Sequence, residues 1–170
     1  MNKLTTTILL VITIGITNQT KAQTTSACST ENHQKFDFWV GDWNVYDTLN
    51  NKVGENLIVK LEDGCIINEH WKSTNGSTGR SYNYYDASDS TWNQLWIDNQ
   101  GSNLVLKGHP ETNKMVLKSE LIAGKKIDWY YNRIIWEKLD DKTVIQTWDV
   151  LDKKNNILTT AFKGIYKRKE

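Results

Sequence analysis

Proline is almost missing from this chain. It occurs once in 170 residues, as Pro110, in a stretch that reads as a turn. Central strands of a sheet need every backbone N–H, so this scarcity suits an all-β protein. Helical spacing is missing as well: no stretch carries apolar residues at i, i+3, i+4 and i+7 over three turns, which excludes long amphipathic helices. Only a short helical turn over about Thr30 to Phe38 remains open. No Gly-x-Ser-x-Gly, phosphate-binding glycine loop or dinucleotide fingerprint occurs. His33, His70 and His109 lack metal-ligand spacing, so neither a zinc site nor another cofactor is expected.

A dominant charge is also lacking. The first 22 residues place Lys3 before the apolar run Ile8 to Ile16 and end on Thr20-Lys21-Ala22, the pattern of a secretory signal peptide cut near Ala22. The run is too short to anchor in a bilayer. Of the 21 basic residues, Lys3 and Lys21 fall in this segment, which leaves 19 against 20 acids. That balance argues against nucleic acid or an anionic membrane as partner. Export to the periplasm or the extracellular space is the expectation. The alternative, lipidation at Ala27-Cys28, meets Thr25 where a lipobox needs Leu.

Cysteine is scarce: Cys28 and Cys65 are the only two. Neither sits in a Cys-x-x-Cys or beside a patterned His, and both lie in the exported part, where thiols pair. A disulfide between them would pin an N-terminal segment, 23–35, to a later strand of a single domain, 36–170. The 148 residues after the leader suffice for one such core.

What the chain has in quantity is Trp, Tyr, Val, Ile and Thr in alternating runs separated by turn residues. Ten strands are expected, at about 41–49, 52–62, 64–73, 79–86, 91–98, 103–108, 114–122, 126–138, 143–152 and 157–168. Consecutive hairpins of this kind close into an up-and-down barrel, which removes exposed edges. An open two-sheet sandwich is the alternative.

The segment Phe36-Asp37-Phe38-Trp39-x-Gly41-x-Trp43 contains the Gly-x-Trp that opens lipocalin-like (calycin) barrels. Asp63-Gly64-Cys65, Glu69-His70-Trp71, Asn83-Tyr84-Tyr85-Asp86, Trp92-x-Gln94-x-Trp96-x-Asp98, Gln146-x-Trp148 and Phe162-x-Gly164-x-Tyr166 follow in order. Together they resemble the exported bacterial proteins of the DUF1579 domain family, from about residue 28 to the C-terminus. The resemblance implies a calycin-like barrel and export, without an established ligand or reaction. In calycins a basic residue near the last strand covers the Trp, and Arg168, in phase with Phe162 and Tyr166, fits that part. Nitrobindins, a similar barrel, hold haem through a C-terminal His; this chain has no His after His109.

Strand phase then assigns an interior. Val144, Gln146, Trp148 and Val150 alternate with Thr143, Ile145, Thr147 and Asp149, and the second set reads as the solvent face. By transfer, Gln94, Trp96 and Asp98 point inward. The same rule places Glu69 with Ile67 and Trp71, Asn83 with Ser81 and Tyr85, and Arg133 with Tyr131 and Ile135. The expected ligand-binding set is Trp71, Asn83, Tyr85, Gln94, Trp96, Arg133, Gln146 and Trp148. So many polar groups argue for a wet cavity, because burying them dry costs several kcal/mol. The occupant expected is a small amphiphilic or polar-aromatic molecule. Two alternatives stand beside it. One is an acid–base lyase, isomerase or hydrolase using Glu69 and Asp98, with His70 as a proton shuttle although its phase is opposite to that of Glu69. The other is a structural barrel filled by its tryptophans.

Overall fold

The structure, a computed structural model, describes residues 27–125 and 128–170; segment 1–22, expected to be a signal peptide, lies outside them. One helical turn, α1 (Glu31–Gln34), and a 3-10 turn (Asp37–Trp39) precede the strands. There follow β1 (Gly41–Tyr46), β2 (Lys52–Leu61), β3 (Ile66–Ser73), β4 (Thr78–Asp86), β5 (Thr91–Asp98) and β6 (Asn103–Glu111). The remainder are β7 (Lys114–Lys118), β8 (Ile122–Ala123), β9 (Trp129–Lys138), β10 (Thr143–Leu151) and β11 (Ile157–Arg168). All pairings are antiparallel, and β1 pairs with both β2 and β11 while β9 pairs with both β7 and β10. The sheet therefore closes into a ten-stranded calycin-like barrel, with β8 a two-residue side pairing on β9. Closure rules out the open sandwich.

Several strand ends differ from expectation for local reasons. β1 stops at Tyr46 because the Asp47 carboxylate accepts the backbone N–H groups of Leu49 and Asn51, which turns the chain early. Residues 62–64 form a 3-10 turn, so β3 begins at Ile66 rather than 64. Pro110 lies within β6 opposite Met115, and the turn falls after Glu111. The expected strand 114–122 is split into β7 and β8.

One end of the barrel is plugged. Phe36, Trp39, Trp43 and Trp136 are fully buried, with Phe36 stacked on Trp39 and edge-on to Trp92 and Trp136. Each such burial is worth roughly 2–3 kcal/mol. The Arg168 guanidinium lies 4.2 Å over the Trp43 ring, as the Gly-x-Trp resemblance implies, and donates to the carbonyls of Val40 and Asp141. Gly41 is required here: a Cβ would stand 2.1 Å from Arg168 Nη1. The Cys28–Cys65 disulfide forms and ties the N-terminal segment to the turn before β3 at this same end. Closing a loop of 37 residues stabilises by about 4 kcal/mol in the chain-entropy account.

Candidate functional site

The opposite end of the barrel contains a cavity of about 400 Å³. Its walls are aromatic because three strands send rings inward at alternate positions: Trp71 from β3, Trp96 from β5 and Trp148 from β10. Phe162 of β11 meets Trp71 edge-on, with centroids 6.1 Å apart. Small residues make room for these rings. A Cβ on Gly79 would stand 2.2 Å from the Trp96 ring, and one on Gly54 would stand 2.4 Å from that of Trp71. Both indoles thus lie across the neighbouring strand instead of filling the lumen. β1 pairs with β11 only between Trp43–Tyr46 and Ile165–Arg168. Hydrogen bonding on that side therefore covers only the last third of β11, and Ala161 and Phe162 border the cavity above it.

The floor is polar and buried. Glu69 of β3, 4% exposed, accepts from Asn56 Nδ2 at 2.6 Å on one oxygen and from Ser81 Oγ at 2.7 Å on the other. Asn83 donates to Ser81 Oγ and to the carbonyl of Ile67, and Gln94 Nε2 donates to Asn83 Oδ1 at 2.8 Å. From the other side of the barrel, Tyr166 donates to Gln146 Oε1 and accepts from Asn56 Nδ2 at 3.3 Å. The donors around Glu69 are all neutral. Burial pushes its carboxyl up to about 7, against the opposing pull of the Asn56 and Ser81 hydrogen bonds. Burial also raises the Tyr166 hydroxyl well above its ordinary value, with the Glu69 charge adding to it.

Of the residues expected from the sequence, Glu69, Trp71, Gln94, Trp96, Gln146 and Trp148 come together around this cavity. Asn83 sits one hydrogen bond behind Gln94. Tyr85 points inward but at the plugged end, where its ring meets His33 edge-on and its hydroxyl accepts from Asn32. Asp98 does not join Glu69: its carboxylate caps the β5–β6 turn by accepting from the backbone N–H groups of Gln100 and Ser102. His70 faces the outer wall beside Arg80, at 3.4 Å, and its pKa is lowered by partial burial and then by Arg80 and Lys72.

Arg133 is a correction. It lies on the outer face of β9, paired with Asp149 at 2.8 Å, while Asn132, Ile134 and Trp136 occupy the inner phase. Tyr131 and Ile135 flanking Arg133 made the wrong face look apolar. Asp149, read as solvent-facing, is on the outer side yet buried, because Arg133 and Thr160 close over it.

Sequence reasoning missed Asn56, which holds Glu69 and Tyr166 together. Its neighbour Leu57 is 44% exposed while Asn56 is buried, so hydrophobicity pointed to the wrong face of β2. The periodic signal that does locate it is Gly54-x-Asn56-x-Ile58, in phase with Trp43 and Val45 on the adjacent strand.

Among the described residues no three His, Cys, Asp or Glu side chains converge as a metal site, and no helix is long and apolar enough to cross a membrane. No protein-family model matches the chain, and comparison with curated proteins gave no match.

Proposed function

We propose that this protein is an exported barrel that binds a small amphiphilic or polar-aromatic molecule, related to the DUF1579 domain family its motifs resemble. The observation that carries the reading is the cavity itself: about 400 Å³ between aromatic walls, above a hydrogen-bonded floor with a buried carboxyl. Apolar walls with a few convergent polar groups are the usual make-up of small-molecule sites. A barrel needing only a core would fill that volume, since protein interiors are packed to near crystal density. The leader pattern of residues 1–22 and the Cys28–Cys65 disulfide support export.

Tryptophan emission tests binding directly, because Trp71, Trp96 and Trp148 line the cavity. A screen of alkyl and aryl alcohols, amines and acids should shift the emission and add mass in native mass spectrometry. No shift and no added mass across that range would refute the reading.

A second reading is favoured by the Glu69 carboxyl, which titrates at about 7. A single carboxyl of that kind can serve alternately as general acid and base near neutral pH. Asp98 has no part in it. In this case Glu69→Gln abolishes turnover of the bound molecule while leaving its affinity measurable.

A further inference from the structure

Within that binding reading, we infer that the ligand is a cation: an amine or quaternary ammonium whose charged head sits against Glu69 and between the indole faces. Two observations carry this. The described lining of the cavity contains one acid, Glu69, and no lysine, arginine or histidine. It also brings together five rings, those of Trp71, Trp96, Trp148, Phe162 and Tyr166.

Elsewhere the protein treats a buried acid differently. Asp149, equally buried on the outer wall, has the guanidinium of Arg133 at 2.8 Å. Glu69 has only an amide and a hydroxyl. Two hydrogen bonds occupy about half of the acceptor sites of a carboxylate, so Glu69 keeps capacity for further donors. A buried carboxylate without a countercharge is costly, and a cation in the cavity would supply the missing partner. The rings favour the same class of ligand, because the negative faces of indoles attract ammonium groups, most strongly where water is excluded. A carboxylate headgroup would meet Glu69 with like charge, and an uncharged one would leave it unpaired.

Such a ligand binds the ionised form of Glu69, so its affinity should rise with pH. Glu69 titrates at about 7. Its hydrogen-bond partners Asn56 of β2 and Ser81 of β4 do not ionise, and neither do Gln94 of β5 and Gln146 of β10, which line the cavity with it. Tyr166 of β11, the other titratable group of the lining, is raised well above 10 and stays protonated.

The test uses three probes of one chain length on the mature protein: octyltrimethylammonium, 1-octanol and octanoate, titrated by tryptophan emission from pH 5.5 to 8.5. The inference expects the ammonium to bind about tenfold or more tighter than octanol at pH 8.5, with octanoate weakest. It also expects the ammonium affinity alone to increase by about tenfold or more over the pH range. Glu69→Gln should bring ammonium affinity to within a few-fold of octanol at every pH. If that variant does not fold, the wild-type pH series decides. Equal affinities, tightest binding of octanoate, or a flat ammonium series would overturn the cation assignment while leaving small-molecule binding intact. Silence from all three probes would overturn both.

Discussion

The indole of Trp96 lies against Gly79 on the adjacent strand, so close that a Cβ there would stand 2.2 Å from Cζ2. This contact keeps the ring on the wall and the lumen open. Gly79→Ala should drive the ring into the cavity, lower ligand affinity by about tenfold and cost about 1–3 kcal/mol, the range for overpacking. Trp96→Phe in the same background should recover part of the stability. Melting curves and ligand titration of the wild type and both variants check it; an alanine variant with wild-type affinity would show that the glycine has no role in holding the site open.

Stability should depend on pH through Glu69. Its folded pKa of about 7 lies above the ordinary 4.5, so protonation favours the folded state. The stability it contributes is full below about pH 4.5 and is lost as pH rises through 7, by roughly 3 kcal/mol in total. Unliganded protein should melt lower at pH 8 than at pH 5.5, and Glu69→Gln should flatten the trend and melt higher at pH 8. Glu55 acts in another window. Hydrogen bonds from Lys52 and then Lys169 hold it at about 2, so its contribution is present above pH 4.5 and is lost only in acid.

At the plugged end, Arg168 covers Trp43 and donates to two backbone carbonyls. Arg168→Leu should cost about 1–3 kcal/mol, from the lost cation–π contact and the two carbonyls left without a donor. Ligand affinity should stay within about twofold, because Arg168 does not border the cavity. Chemical denaturation alongside a binding titration separates the two effects.

The outer pair Arg133 and Asp149 should likewise be structural. Asp149→Ala leaves Arg133 without its carboxylate and Thr160 Oγ1 without its acceptor, at an expected cost of about 2–4 kcal/mol. The cavity should bind as before. A large loss of affinity at unchanged stability would instead restore Arg133 to the ligand site.

Period-2 alternation carried the barrel reading. Turn residues delimited most of its strands, and β11 runs over 157–168 as expected. Alternation also placed Glu69, Gln94, Trp96, Gln146 and Trp148 on the inner face, because each lies among residues whose other face is polar or mixed. It failed on β9, where both phases carry apolar residues and the decision rests on cross-strand pairing: Trp136 opposite Gln146, and Arg133 opposite Asp149. It also failed for Asp98, which keeps the inward phase but lies at the last strand position, within reach of the turn amides. Phase assigns a face, not a depth. Tyr85 and Trp96 share an interior with opposite ends, and only the barrel's direction separates a plug residue from a cavity wall. Glu69 and Ser81 face each other across the β3–β4 hairpin, but Tyr166 lies on the last strand and reaches Asn56 beside them only through the β1–β11 closure, which no local pattern encodes.

The most direct measurement is diffraction from crystals soaked in 8-bromo-1-octanol, using anomalous scattering to find the bromine. An open amphiphile site predicts a bromine peak among Trp71, Trp96, Trp148 and Phe162, with the hydroxyl toward Glu69 and Gln146. Tryptophans packed across the lumen, with no bromine inside the barrel, would contradict it.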